Sequence, residues 1–539
     1  MQEQEITLSD VLTAREERVF IQNSLLSEYR VPVISFTMNI AGPVKVTGAS
    51  HRAFLWGMEQ LRLGFVQNRL KVLKEYSRSL PTGDEGYFAV DAPARSVKSL
   101  CVEIEEGHKS LGRLFDMDVI GPEGKKLERG TERPCIVCGK PGRECASRRL
   151  HTVAELRSAT ASDLRNGLLL LDRQRIAALA TRALLEEVAV TPKPGLVDRA
   201  NNGSHRDMNY TSFQASAAAL TPYWGECFLE GRLAACRPAS SVGEADGCQP
   251  EAGASRIRHP AQGEGAAPTA AAAGKETGPS TPVRSAQDGM YETIAPSETF
   301  AALRLPGKIA ERAMLAATGG VNTHKGVIFT LGVLCGAVGR LWTAADGFPD
   351  TDAILNEAAA MTRETLDAEL PAARWNTAGE ALYQKYGTRG IRGEVADGLP
   401  AVRDISLPVF RKLVTEGLDR NHAAAVTLLH LIARVEDTNL LHRGGREGAA
   451  WARKAAEALL TSASEANTDA GCPSADKQSL SLHLHAPTLD QIAKLDRQFI
   501  DRNLSPGGCA DLLAVTLFLD SLQSERDRSN AGPAAPCSE

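Results

Sequence analysis

Residues Val327–Leu341 read VIFTLGVLCGAVGRL, an apolar run whose only charge is Arg340. The run decides the fold class of most of the chain. A membrane-spanning helix needs about 20 apolar residues, and this segment is shorter and broken by glycines, so it predicts a buried core helix. Outward from it, Leu164–Val188, Asp352–Glu369, Asn421–Val435, Leu489–Arg502 and Ala510–Leu522 repeat apolar residues at helical spacing, and strand signals are few. A mostly all-α domain is therefore expected over 161–525. Towards the N-terminus the pattern changes. Val31–Ile40 (VPVISFTMNI) is β-branched and reads as a strand. Ser9-Asp10 opens a helix with Leu12, Val19 and Leu26 on one face, and Ala53–Tyr76 reads as a second helix. Lys98–Glu106 and Gly112–Ile120 read as further strands. These elements predict a small α+β domain over 1–160.

The 539 residues allow two large domains or roughly three smaller ones. Hydrophobic residues make up 43% and charged residues 24%, which suits packed cores and excludes wholesale disorder. Lys+Arg 61 against Asp+Glu 66 leaves a net charge of −5, so no basic excess points to nucleic acid or a membrane surface. The opening MQEQEITLSD lacks the positive start and apolar core of a signal peptide, and eleven cysteines make an odd set for a disulfide framework. A cytoplasmic location is expected. Within Leu233–Met290, 33 of 58 residues are Ala, Gly, Pro or Ser and none is aromatic, so 233–290 is expected to be a low-complexity, disordered insertion in the helical domain. Asn467–Lys477 reads as a shorter polar insertion and 526–539 as a loose tail.

In the first domain, Asp116 and Asp118 lie two apart on an expected strand and so share a face. Two such carboxylates can hold Mg²⁺ on a triphosphate; they can equally be a solvated acidic edge. Lys45 follows the Gly42-Pro43 turn, and Arg15, Arg18 and Gln22 share a helix face; these cations suit phosphate or surface ion pairs. Cys135-x₂-Cys138-x₆-Cys145-x₅-His151 can complete a tetrahedral Zn²⁺ site, or hold reduced structural cysteines, or form a nucleic-acid-binding knuckle flanked by Arg143, Arg148 and Arg149. The acidic net charge speaks against the last.

Taken in order, LTAREERVFIQNSLL, PVISFTMNIAGPVK, GRLFDMDVI and CIVCGKPGRECASRRLH resemble the phosphoribosyl-dephospho-CoA transferase of apo-citrate lyase over residues 5–157. The resemblance implies attack by a serine of the acyl-carrier subunit on the α-phosphate of a triphosphate, with pyrophosphate leaving, and Asp116 and Asp118 as metal ligands.

The helical domain carries five polar, glycine-rich segments at expected helix ends: Thr191–Met208, Thr318–Gly326, Gly390–Glu394, Glu436–Gly445 and Asn503–Asp511. Each alone can be caps and turns, as Ser505 before Pro506 or glycines 444 and 445 show. Together they can converge on one anionic ligand with Mg²⁺. TPKPGLVDRANNGSHRDM, GGVNTHKG, GIRGE, EDTNLLHRGG and NLSPGGCADLLA resemble triphosphoribosyl-dephospho-CoA synthase over about 165–232 and 300–522. The resemblance implies synthesis of the citrate lyase prosthetic-group precursor from ATP and 3′-dephospho-CoA, with adenine released.

That chemistry needs a base for a ribose hydroxyl and a clamp for a retained triphosphate. Candidates for proton transfer are His205, Glu394 and Asp437. Metal candidates are Asp198, Glu436, Asp437 and Asp511. Candidates for phosphate and substrate are Lys193, Arg199, Asn322, His324, Lys325, Arg392, Asn439, Arg443 and Ser505. The expected protein is a bifunctional transferase that uses ATP, 3′-dephospho-CoA and Mg²⁺, binds the apo acyl-carrier subunit of citrate lyase, and binds neither nucleic acid nor membrane. The alternatives are a different carrier, such as that of malonate decarboxylase, or a zinc-knuckle nucleic-acid-binding protein.

Overall fold

The computed structural model describes residues 3–235, 237–238, 291–292, 294–369, 378–465 and 486–530. Most of the expected insertion 233–290, all of Asn467–Lys477 and the last nine residues of the expected tail lie outside the described residues.

The N-terminal part runs α1 (Leu8–Tyr29), β1 (Val33–Met38), α2 (Gly48–Gln67), β2 (Lys71–Leu80), β3 (Gly83–Asp91), α3 (Ala94–Gly107), α4 (Leu111–Leu114), β4 (Phe115–Ile120) and α5 (Gly142–Arg148). Its four strands form an antiparallel sheet in the order β2-β3-β1-β4. Alternation along the strands separates two faces. Phe36, Phe88, Phe115 and Met117 face the main core with Phe54 and Leu100. Val33, Tyr87, Ala89 and Ile120 form a smaller cluster with Leu25 and Leu26 of α1.

Helix α6 (Val153–Ala189) leads into the helical part: α7 (Tyr210–Ala234), α8 (Pro296–Ala317), α9 (Lys325–Leu341), α10 (Thr351–Glu369), α11 (Ala378–Tyr386), α12 (Gly390–Ala396), a π-helical turn (Ala401–Ser406), α13 (Leu407–Thr415), α14 (Arg420–Arg434), α15 (Thr438–Glu465), α16 (Leu489–Asp501) and α17 (Gly507–Asn530). A two-residue strand pair, β5 (Arg237–Pro238) with β6 (Tyr291–Glu292), joins α7 to α8. The α+β part followed by a mostly helical part is the expected fold class. None of the described helices is long and apolar enough to cross a membrane.

The apolar run around Val327 is α9, and nearly all of it is buried. Its glycines let another helix approach. A Cβ on Gly339 would sit 2.0 Å from the carbonyl oxygen of Phe228 in α7, and one on Gly231 would sit 2.0 Å from that of Gly336. The two backbones are in direct contact, which only residues without side chains allow.

The junction of the two parts is polar and buried. Asp172 of α6 accepts from Arg52 of α2 (2.6 Å) and from Trp342 Nε1 just beyond α9 (2.7 Å). Arg52 also donates to the Ala344 carbonyl at 2.9 Å. The expected boundary at residue 160 falls inside α6, a helix whose Gly167 packs on Leu111 and whose later turns pack on α7 and α17.

Several expectations give way. Lys98–Glu106 is helix α3, not a strand, because Val97, Leu100, Cys101 and Ile104 follow helical spacing and bury on one side. The helix expected over Ala53–Tyr76 ends at Gln67, where Arg69 takes φ 54°, and Lys71 starts a strand. Gly112–Ile120 is strand only from Phe115. In α1, Leu12 and Val19 are about half exposed, so the heptad face is not the buried one, and the cap is Thr7 paired with Asp10. Gly390–Glu394 is a helix, and Glu436–Gly445 follows the end of α14 as expected but is itself helical from Thr438, with a break at Gly445 (φ 61°).

Replacing Gly339 by alanine is expected to lower the urea midpoint of unfolding, with a cost of about 1–3 kcal/mol or more, because α7 and α9 must part. Equilibrium denaturation of the variant against the wild type measures it, and an unchanged midpoint would disprove the close crossing.

Two candidate active sites

In the N-terminal part, Asp116 and Asp118 share the α1-side face of the sheet with Thr37 and Ser35, which lie directly opposite them on β1. Both carboxylates reach solvent, with side chains 43% and 27% exposed. Each faces one cation: Arg133 Nη1 lies 3.4 Å from Asp116 and Lys126 Nζ lies 2.5 Å from Asp118. Gln22 of α1 donates to Ser35 Oγ at 2.9 Å. Arg18 does not stand free for phosphate: with Arg78 it clamps the buried carboxylate of Glu85. Lys45 donates to the Ile40 carbonyl at 2.6 Å, and burial together with nearby Arg15 lowers its pKa.

The expected Cys/His set also assembles. Cys135, Cys138, Cys145 and His151 place their ligand atoms within 4.8 Å of one another.

In the helical part, a cavity of about 1050 Å³ gathers the helix ends. Its lining includes Lys193, His205, Asn322, His324, Lys325, Arg392, Glu394, Glu436, Asp437, Asn439, Arg443, Ser505 and Asp511. Two expected residues stay outside. Asp198 spends its carboxylate on the backbone N–H groups of Lys193, Ala200 and Asn201, fixing its own loop. Arg199 is exposed beside it and does not line the cavity.

Three carboxylates define the cavity floor. Asp437 is buried; its oxygens accept from the N–H groups of Asn439, Leu440 and Cys509, tying the start of α15 to the start of α17. Glu187, at the end of α6, pairs with buried Lys193 at 2.6 Å. Asp511 lies against the first turn of α9, so close that a Cβ on Gly326 would meet its Oδ2 at 2.0 Å. Burial, with Glu187 and Asp437 adding repulsion, pushes Asp511 well above the usual carboxylate range. Burial raises Glu187 and Asp437 as well. Asp511, buried and repelled by the other two, is the carboxylate of the three whose charge a divalent cation would relieve.

One cavity histidine has a defined proton position. Arg443 Nη2 donates to His205 Nδ1 at 3.0 Å, so the ring proton sits on Nε2 and points at Ser505 Oγ, 2.9 Å away. Burial and Arg443 lower His205 to about 4. His324 is buried, contacts Ser216 Oγ through Nδ1 at 2.6 Å, and is lowered to about 3 by burial. Its Nε2 is buried without a partner, and the residue lines the cavity. Lys325 turns to Glu311 at 3.2 Å, and Asn322 accepts from the Lys325 N–H at the helix start. Glu394 accepts from Ala401 N through Oε2 at 3.1 Å; burial first, then Asp397 and Asp404, raise its pKa.

Sequence reasoning missed Glu187, Ser216, Glu85 and Arg133. Glu187 carried a usable signal, an acidic pair ending an apolar helix just before the TPKPG loop. Ser216 and Glu85 carried none, because only packing against distant residues gives them partners.

Comparison with known proteins places both parts. Residues 6–166 match the family of apo-citrate lyase phosphoribosyl-dephospho-CoA transferases (CitX), and residues 173–252 and 267–530 match that of ATP:dephospho-CoA triphosphoribosyl transferases (CitG). Protein CitXG of Haemophilus influenzae is 32% identical over 530 residues, covering 96% of this chain and 97% of that one. Protein CitXG of Leuconostoc mesenteroides subsp. cremoris is 28% identical over 536 residues, with the same coverage. The 2-(5″-triphosphoribosyl)-3′-dephosphocoenzyme-A synthase of Klebsiella pneumoniae is 33% identical over 353 residues, covering 65% of this chain and 92% of that one. The chain therefore belongs to the CitXG family, a fusion of CitX and CitG parts, and is a transferase of citrate lyase prosthetic-group biosynthesis and attachment.

Proposed function

We propose that the chain carries out two consecutive transfers. In the helical part, the 2′-hydroxyl of 3′-dephospho-CoA attacks the anomeric carbon of the ATP ribose. The C–N bond to adenine breaks, adenine leaves with a proton, and the triphosphate is retained on the product. In the N-terminal part, a serine hydroxyl of the apo acyl-carrier subunit attacks the α-phosphorus of that product, and pyrophosphate leaves. The observation that carries this reading is a cavity lined by both buried carboxylates and cations, in the part that matches the triphosphoribosyl transferase family.

The cavity residues divide the work. Glu394 is the general base: one of its oxygens is spent on Ala401 N, and its raised pKa makes it a better proton acceptor. Lys193, Arg392 and Arg443 face the triphosphate, with His324 Nε2 as a neutral contact. Asn322, Lys325, Asn439 and Ser505 complete the rim. His205 is not the base, because Arg443 holds its only lone pair; it orients Ser505. Mg²⁺ would be held by Asp437, Asp511 and Glu187, with Glu436 at the mouth, and would supply charge compensation for the phosphates. In the N-terminal part, Asp116 and Asp118 would hold Mg²⁺ in the same capacity, while Arg15 and Lys45 flank the leaving phosphates.

Purified protein with Mg²⁺, ATP and 3′-dephospho-CoA is expected to release adenine without ADP or AMP, read by chromatography. Its absence from folded, ATP-binding protein would overturn the synthase half. Glu394→Gln is expected to lower the rate of adenine release about 10²–10⁴-fold. Asp116→Asn is expected to stop labelling of the apo-carrier while adenine release continues. Assaying the apo-carriers of citrate lyase and malonate decarboxylase side by side fixes the acceptor.

The histidines give a pH signature. The folded values of His205 and His324, about 4 and about 3, lie below the ordinary 6.5. Between those values the unfolded chain binds more protons than the folded one, so these groups cost stability as pH falls below 6.5. Nitrogen NMR is expected to show His205 as the neutral Nε2–H tautomer at pH 7, with no titration before about pH 4. A transition near 6.5 would disprove the Arg443–His205–Ser505 arrangement.

A further inference from the structure

We infer that Cys135, Cys138, Cys145 and His151 bind one structural Zn²⁺, and that the ion staples the strap between β4 and α6 to the face carrying Asp116. The four ligand atoms already lie within 4.8 Å of one another. Around tetrahedral zinc, with Zn–S of about 2.3 Å, sulfurs sit about 3.8 Å apart. Cys138 Sγ is 3.4 Å from Cys145 Sγ and 3.3 Å from His151 Nε2, so small adjustments complete the shell. A disulfide needs its sulfurs at about 2.05 Å and would leave a thiol and an imidazole unused.

The backbone is formed for a metal. Cys135 N donates to Lys140 O at 2.6 Å and Gly139 N donates to Cys135 O at 2.9 Å, with Gly139 at φ 72° closing the turn. Cys145 comes from α5, and His151 stands just before Thr152, the N-cap of α6. The ligands thus come from a hairpin, a short helix and the entry to the long helix.

Burial supplies the independent argument. From residue 131 to 150, the only buried residues are Cys135 and Cys145. A twenty-residue strap with no apolar core of its own has little to oppose its conformational entropy, and segments of this kind are held by metals or disulfides. The strap nonetheless holds functional side chains in place. Arg133 reaches both Glu105 and Asp116, Arg129 pairs with Glu105 at 3.0 Å, and Arg113 donates to the Cys135 carbonyl. Glu105 in turn accepts from Met117 N at 2.9 Å, between the two aspartates. Order in the strap is therefore order at Asp116 and Asp118.

Full-length protein purified under reducing conditions is expected to contain about one zinc per chain by elemental analysis. Mercurial titration is expected to release that zinc as three thiols react. Cobalt exchange is expected to give the visible bands of a tetrahedral thiolate site. Cys138→Ala and His151→Ala are each expected to retain less than a tenth of the metal. Zinc-supplemented protein that is folded, active in adenine release and metal-free would overturn the site, as would thiol mapping that finds a Cys138–Cys145 disulfide. The positioning role rests on the transferase reading and is tested separately. Both variants are expected to lose most carrier labelling while adenine release stays at the wild-type rate. Equal labelling by zinc-free variants would overturn that role without touching the metal site.

Discussion

Helix α6 and the buried carboxylate at its middle carry the architecture. Asp172 is fully buried and binds Arg52 from the N-terminal part and Trp342 from the helical part through one oxygen. Removing either partner of such a pair leaves an uncompensated charge, which costs far more than the pair gives. The same helix presents Gly167 to Leu111 at its N-terminal half and Glu187 to the large cavity in its last turn. The two parts are therefore not beads on a linker. One rod is packed into both, and a buried ion pair fixes their register.

The treatment of charge differs between this scaffold and the cavity. At the junction, Asp172 Oδ2 has donors from both sides, and Arg175 lies 3.6 Å from its Oδ1. At Glu85, two arginines and the Tyr87 hydroxyl saturate one carboxylate. At Asp198, three backbone N–H groups do the same. In the cavity the balance is left open: Asp511 is pushed upward by two neighbouring carboxylates, and His324 Nε2 is buried without a partner. Folding alone gains nothing from this residue of strain, since burying polar groups without partners is costly. It becomes favourable when a ligand brings the missing charges and hydrogen bonds.

Legibility in the sequence followed the range of the interactions. The long helices α9, α10, α14 and α16 were read to within about two residues, because apolar periodicity is local. The β2–β3 hairpin was missed: β2 is mostly polar with no fully buried residue, and the turn that starts it depends on Arg69 adopting a left-handed conformation. Strand α-helix confusion at Lys98–Glu106 came from a short apolar repeat that fits both periods until Val97 is included. Most of the cavity lining was visible as polar, glycine-rich helix ends. Asp198 was not separable from Asp437 by type or spacing; each accepts from three backbone N–H groups, and only the fold shows that Asp437 lines the cavity and Asp198 does not. The roles of Arg18 and His205 were hidden for the same reason, since Glu85 and Arg443 are distant in sequence and adjacent in space.

The two sites also differ in openness, and the proposed substrates account for the difference. Transfer between two small molecules through an oxocarbenium-like state is spoiled by water, so its groups belong in a recess between helix ends. Transfer to a serine carried on another protein requires a surface that the carrier can approach. Asp116 and Asp118, with side chains 43% and 27% exposed on a sheet face, meet that need, but an exposed face lacks the surrounding core that fixes side chains in a cavity. Rigidity there has to come from elsewhere. The Glu105–Arg129–Arg133 cluster provides it from behind the strand, and that cluster is only as well placed as the strap that carries its arginines. An open acidic face thus sits beside a core-free strap, and Arg133 of that strap ties the two together through Asp116 and Glu105.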